Sequence, residues 1–200
     1  MNYLGHAFLS FGDPEILTGN MIGDHIKGKL TPGRFPGRIQ LGLTLHRHID
    51  TYTDSHPAIQ RAKLWFRADY GLYAGAITDT LMDHFLANDA QIFPSENDLL
   101  QFTQDTYSKL AQYSSSFPPG FAGYFPHMRE HNWLYHYRTL QGVQRSLNGL
   151  ARRAGDHMPP VDNAWKIFIG HYYQLTQCYY EFIDDVRNFV KLELKQNPQQ

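Results

Sequence analysis

Apolar residues recur along this chain at three- and four-residue intervals, the spacing of one face of an α-helix. Leu4, Phe8 and Phe11 mark the first such face. Gly12-Asp13-Pro14 interrupts it, with Asp13 expected as an N-cap and Pro14 at the first helical position. The next helix is expected from Pro14 to about Lys27, carrying Ile16, Leu17, Met21, Ile22 and Ile26. Residues 28–36 are rich in Gly and Pro and read as a loop. Helices are then expected over about 36–53, from Ser55-His56-Pro57 through Phe66, over 70–88, and from Ser95 to about Tyr113. Residues 114–123 read as a loop, 125–140 as two short helices, and 143–154 as a helix stopped by Gly155 and Pro159-Pro160. Residues 161–194 read as one long helix bent near Gly170. No repeat and no strand-like alternation calls for a sheet. The expected class is all-α, a single-domain helical bundle over residues 1–194 with a polar, frayed tail at 195–200.

Composition narrows this picture without changing it. Two hundred residues suit one domain with a substantial core. Apolar residues make up 42% and charged residues 18%, a globular balance rather than a disordered one. The formal charge of −1 carries no nucleic-acid signal. One cysteine, Cys178, excludes an intramolecular disulfide and a cysteine-rich zinc site, and fits a reducing compartment. The first ten residues lack a basic start and do not read as a signal peptide. No apolar run reaches the roughly 18 residues of a membrane span. The expectation is a soluble, cytoplasmic protein.

Candidate chemistry lies in polar residues set into the apolar helices. His46 and Asp50 are one turn apart and share a face, while His48 points to the other side. Asp79 and Asp83 are also four apart, with His84 adjoining. Asn20 and Asp24 form a third such pair, and Asn2 and His6 a fourth. An imidazole and a carboxylate on one face can bind one divalent ion, and several helices aiming such pairs inward can build a metal site. A plainer reading stands beside this. His46 donating to a carbonyl and Asp50 pairing with Arg47 or Arg38 would need no metal. The Asp79/Asp83 pair resists that reading, because two carboxylates in an apolar helix repel unless a cation or a proton intervenes. A further pair, His127 and His131, reads as structural or surface.

Lys27, Lys29, Arg34 and Arg38 lie between the Asp24 and His46 segments, where they could meet an anionic substrate or an acidic partner. Residues 1–68 carry a formal +3 and the remainder −4. No P-loop, no nucleophile elbow and no activated cysteine motif is present. The oxygen and nitrogen donors available favour Mn²⁺, Mg²⁺ or Fe²⁺ over structural zinc.

Four ordered motifs carry a family resemblance. They are Met1-Asn2-Tyr3-Leu4-Gly5-His6, Gly19-Asn20-Met21-Ile22-Gly23-Asp24, His46-Arg47-His48-Ile49-Asp50 with Thr53-Asp54, and Asp79-Thr80-Leu81-Met82-Asp83-His84. With weaker similarity around Asn132-Trp133-Leu134 and Asn148-Gly149-Leu150-Ala151, the chain resembles the acyl carrier protein phosphodiesterase family, divergent relatives of the HD-type metal-dependent phosphohydrolases. The resemblance implies an HD-like fold, Mn²⁺ as the favoured ion, and removal of the 4′-phosphopantetheine arm from holo-acyl carrier protein. On this expectation Asp24, His46, Asp50, Asp79 and Asp83 hold the ion. His84, His6 and Asp83 are expected among the catalytic groups, with His84 or His6 acting as ligand, general acid or orienting partner. Lys27, Lys29, Arg34, Arg38 and Asn20 contact substrate or carrier protein. The HD signature is a consecutive His-Asp pair, whereas here His46 and Asp50 are separated and Asp83-His84 is reversed. Two rivals share these residues. One is an HD-like hydrolase of a nucleotide or other small phosphoester. The other is a non-catalytic module that binds carrier protein and uses the acidic cluster only for stability.

Overall fold

The structure is a computed structural model that describes residues 1–31 and 33–196. Among these residues the chain is all-α, with no strand. The helices are α1 (Tyr3–Phe8), α2 (Pro14–Ile22), α3 (Gly37–Ser55), α4 (Pro57–Tyr70), α5 (Ala74–Ala87), α6 (Glu96–Gln112), α7 (Pro119–Glu130), α8 (Trp133–His136), α9 (Leu140–Ala154), α10 (Asp162–Gly170) and α11 (Tyr172–Gln196). Short 3₁₀ turns join several of them, including Gly23–His25 after α2. The tail expected at 195–200 begins inside α11, and residues 197–200 lie outside the described residues. No helix among the described residues is long and apolar enough to cross a membrane.

Local chemistry explains most boundaries. Asp13 caps α2 by accepting from the Glu15 and Ile16 amides at 3.1 and 3.0 Å, with Pro14 opening the helix. Ser95 and Asp98 form a reciprocal capping box at the start of α6. Three boundaries depart from the periodic expectation. Helix α2 stops at Ile22, so Asp24 sits in a 3₁₀ turn and not on a helix face with Asn20. Part of the loop expected at 114–123 is helical, because Pro119 opens α7. The long C-terminal helix is two, interrupted at His171.

One continuous apolar core runs from Met1 to Val190. Helix α11 packs against α3, α4 and α5, and α5 packs in turn against α1, α4 and α9. The closest helix pairing is α2 with α3. A Cβ on Gly19 would lie 2.1 Å from the Ile39 carbonyl oxygen, and one on Gly42 2.3 Å from that of Ile16. The two backbones therefore touch where α2 crosses α3, which no larger residue permits. This crossing delivers Asn20 and the Asp24 turn to the His46 face of α3.

Candidate metal centre and cleft

The crossing of α2 and α3, with α1 laid beside them, brings His6, His46 and Asp50 together. One ligand atom from each lies within 4.8 Å of the others. Asp50 bridges the two rings. Its Oδ1 lies 3.2 Å from His6 Nε2 and its Oδ2 lies 3.1 Å from His46 Nε2. Asp24 Oδ1 reaches His46 Nε2 at 3.2 Å from the other side. The two imidazoles stack with centroids 4.2 Å apart. Their side chains are only 4% and 6% exposed, whereas those of Asp50 and Asp24 are 41% and 70% exposed, so the carboxylates form the solvent edge of the cluster.

The hydrogen bonds around the rings fix their tautomers. His46 Nδ1 lies 2.8 Å from the Asn20 carbonyl oxygen, which can only accept, so Nδ1 carries the proton. Asn20 turns its amide nitrogen toward the His6 carbonyl (2.9 Å) and Ser10 Oγ (3.0 Å). Its Oδ1 is thereby aimed at His6 Nδ1, 2.7 Å away, which donates as well. In the neutral rings both Nε2 lone pairs then face carboxylate oxygens. That arrangement is repulsive unless a proton or a cation enters. Burial penalises the His46 imidazolium, but the Asp24 and Asp50 carboxylates outweigh it and push its pKa up to about 9. Burial and the neighbouring His46 ring push His6 the opposite way. Asp50, against the desolvation it suffers beside the rings, is held well below the usual carboxylate range by both imidazoles. Two imidazole Nε2 atoms, oriented from behind by Asn20, with a carboxylate between them, fit a divalent metal ion.

Gly23 makes room for this geometry. A Cβ there would lie 2.2 Å from His46 Cγ, so the turn that carries Asp24 closes directly onto the ring.

The cluster opens on a cleft of ≈ 350 Å³ whose lining includes Asp24, Asp50, Thr53, Asp54, Asp79 and Arg153. Of the residues expected to hold metal, Asp24, His46 and Asp50 converge here, and His6, expected among the catalytic groups, joins them. Asp79 lines the same cleft but faces the Met1 amino nitrogen at 3.1 Å. Asp83 goes elsewhere. It is fully buried and accepts the backbone amides of Asn2 (3.2 Å), Leu4 (2.7 Å) and Gly5 (3.1 Å). Burial pushes its carboxyl up to about 7, against the pull of the Met1 amino group and the three amides. These bonds tie α5 to the start of α1, the helix that carries His6. His84 is likewise enclosed. Its Nδ1 meets the Tyr137 carbonyl at 2.7 Å, its Nε2 meets Tyr172 Oη at 2.9 Å, and Phe85 and Phe168 flank the ring.

Of the basic residues, Lys27, Lys29 and Arg34 are exposed on the segment that follows the Asp24 turn. Arg38 is taken up by Asp13 at 2.8 Å. Arg47 pins the same segment, donating to the Ile26 and Gly28 carbonyls at 3.2 and 2.6 Å. Asn20 is wholly buried behind the imidazoles. His127 and His131 join Glu130 in a second, fully exposed group of close ligand atoms. Sequence reasoning passed over Arg153 and the hydrogen-bonded trio of Tyr3, His25 and Tyr124. Nothing in helical spacing could have found them, since these residues come from separate elements.

Comparison with known proteins bears on the same residues. A protein of Enterobacter sp. (strain 638) named acyl carrier protein phosphodiesterase is 32% identical over 183 residues, covering 91% of this chain and 93% of its own. Proteins of the same name from Salmonella paratyphi A (strain ATCC 9150 / SARB42) and Salmonella agona (strain SL483) are 28% identical over 182 residues, with the same coverage. No solved structure matches the chain. The sequence pattern of the family described as acyl carrier protein phosphodiesterase matches residues 1–186, so it takes in every residue of the cluster and every residue lining the cleft, and the chain belongs to that family.

Proposed function

We propose that this protein hydrolyses the phosphodiester that joins 4′-phosphopantetheine to a serine of holo-acyl carrier protein, using one Mn²⁺ held by His6, His46 and Asp50, with Asp24 at its solvent edge. The proposal takes residues 1–194 as the working domain and places it in the cytoplasm, in keeping with its unpaired Cys178. The observation that carries the reading is the convergence of two tautomer-fixed imidazoles and a bridging carboxylate at the head of a cleft, in a member of this family.

Divalent-ion chemistry at such a site supplies polarisation of a phosphoryl oxygen and acidification of water. The chain's own residues do the rest. Asn20 holds both rings with Nε2 forward. Asp24, kept below the usual carboxylate range by its hydrogen bond to His46, stays ionised at neutral pH and suits acceptance of a proton from water. Asp83 acts through α1, fixing the helix that presents His6. His84 acts through packing, joining α5 to Tyr137 and Tyr172. Lys27, Lys29 and Arg34 offer an acidic carrier protein a complementary edge beside the Asp24 turn. The dispersed donor set replaces the consecutive pair of the HD type. Mn²⁺ suits it because the donors are nitrogen and oxygen without sulfur.

Intact-mass measurement of holo-carrier protein, incubated with this protein and Mn²⁺, tests the reading. Conversion to the apo form, abolished by chelation and restored by Mn²⁺ better than by Mg²⁺ or Fe²⁺, is the expected result. Conversion that survives complete chelation would refute the metal assignment. An unreacted but bound carrier protein would favour a non-catalytic binding module.

A further inference from the structure

Four carboxylates line the cleft, and each already has a partner. Asp54 pairs with Lys63 at 2.6 Å. Asp79 faces the Met1 amino nitrogen. Asp50 bridges the two imidazoles, and Asp24 meets His46. The wall supplied by α9 is different. Leu150 and Arg153 lie there one turn apart, on the same face of the helix. Among the described residues Arg153 makes neither an ion pair nor a hydrogen bond, and it is exposed. Among the described residues it is the one Arg or Lys in the lining of the cleft. An arginine side chain stays protonated at any physiological pH, so this cleft carries a permanent, uncommitted positive fork.

A second unpaired group lies on the α3 wall. Thr53 is 1% exposed and lines the cleft, and among the described residues its Oγ1 has no hydrogen-bond partner. A buried hydroxyl without a partner is costly unless a ligand completes it.

We infer that Arg153 is the phosphoryl-binding residue of the cleft, its guanidinium taking the two non-bridging oxygens of a phosphodiester while the Thr53 hydroxyl donates to the same group. The inference rests on the phosphodiesterase reading and specifies how that substrate is held. A planar fork of donors matches two oxygens that share one negative charge, and a lysine at the same place would supply charge without the paired geometry. The position also answers an electrostatic problem. A phosphodiester approaching Asp24, Asp50, Asp54 and Asp79 is repelled unless cationic groups meet it first.

The test compares holo- and apo-carrier protein, because only the holo form contains the phosphodiester. Binding is measured with chelator present, so that the arm stays intact, for wild type, Arg153→Gln, Arg153→Lys, Thr53→Val and Arg152→Gln. Wild type is expected to prefer the holo form. Arg153→Gln should lose roughly 10–100-fold in holo affinity, as for a charged hydrogen bond, and nothing in apo affinity. Arg153→Lys should recover part of the loss, and Thr53→Val should show a smaller loss of the same kind. Arg152→Gln, exposed on the same helix and outside the cleft lining, should behave as wild type. With Mn²⁺ present, the Arg153→Gln defect should appear mainly in KM. Equal losses for holo and apo forms would make Arg153 a docking residue and overturn the inference. So would a holo preference that survives in Arg153→Gln. If wild type converts no holo-carrier protein in the mass assay, the phosphodiesterase reading has failed and this inference falls with it. If conversion is normal and only the Arg153 arm disagrees, the inference alone has failed.

Discussion

The chain carries two clusters of the same outward kind, and they do different things. One is His46 and Asp50 on α3. The other is Asp79, Asp83 and His84 on α5. Both set ionisable residues at one-turn spacing into an apolar helix. On α3, the pair faces the Asp24 turn and α1, where a second imidazole arrives with its Nε2 also forward. On α5, each residue is claimed by a separate partner. Asp79 meets the Met1 amino nitrogen, Asp83 the amides of α1, and His84 the Tyr137 carbonyl. The difference is one of neighbours. Where the facing groups are donors, a carboxylate becomes a structural anchor. Where the facing groups are other lone pairs, the cluster takes up a proton or fits a cation.

Four experiments can break or sharpen that contrast. The largest effect is expected from His46→Ala or His6→Ala, each of which removes one of the two Nε2 donors. Stoichiometric metal binding, read by elemental analysis after dialysis, should vanish together with carrier-protein turnover while the fold survives. Full metal content in either variant would dissolve the distinction. Next comes Asp83→Ala, which strands three backbone amides. We expect a loss of roughly 3 kcal/mol or more in urea unfolding, with metal still bound by the fraction that folds. Asp83→Asn, which keeps one acceptor oxygen, should cost less. A stable Asp83→Ala protein that binds no metal would place Asp83 in the ion site.

A smaller effect is expected at Asn20. Asn20→Ala removes the Oδ1 that orients His6 but leaves the Asn20 carbonyl that holds His46. Metal affinity should fall about 10–100-fold, as when an orienting partner is lost. Titration calorimetry would show it, and an unchanged affinity would remove Asn20 from that role. The smallest effect should follow reversal of Lys27, Lys29 and Arg34 to glutamate. Association with carrier protein should slow at low salt, and the deficit should shrink near 0.15 M, where exposed charges are screened within about 8 Å. Adding Arg38→Glu should contribute through loss of its Asp13 pair, visible as reduced stability and not as slower association.

Much of the fold is legible in the sequence. The Asp13-Pro14 start, the Ser95 cap and the run of helices from Tyr3 to Gln196 follow from spacing and capping chemistry that act within a few residues. The family was legible too, because its motifs are contiguous. Part of the candidate centre was readable for the same reason. His46 and Asp50 share a helix face whatever packs against it.

What local sequence could not decide is which polar groups meet. Asn20 was expected to contact substrate or carrier protein and is buried behind both imidazoles. His6 could be read as ligand, acid or orienting group, and its ring stacks on that of His46 beside Asp50. His84 was expected among the catalytic groups and is enclosed by aromatics and a carbonyl. Arg153 had no local signature and lines the cleft from the far end of α9. Helical periodicity fixes the direction of a side chain relative to its own axis and nothing more. The close crossing of α2 and α3 at Gly19 and Gly42, and the tie from Asp83 to the start of α1, set those axes against one another. Sequence determined the helices and their polar faces. Tertiary packing chose, from several similar faces, the one where imidazole nitrogens and carboxylate oxygens converge closely enough to hold an ion, because only the identity of the facing group separates a structural hydrogen bond from a candidate ligand set.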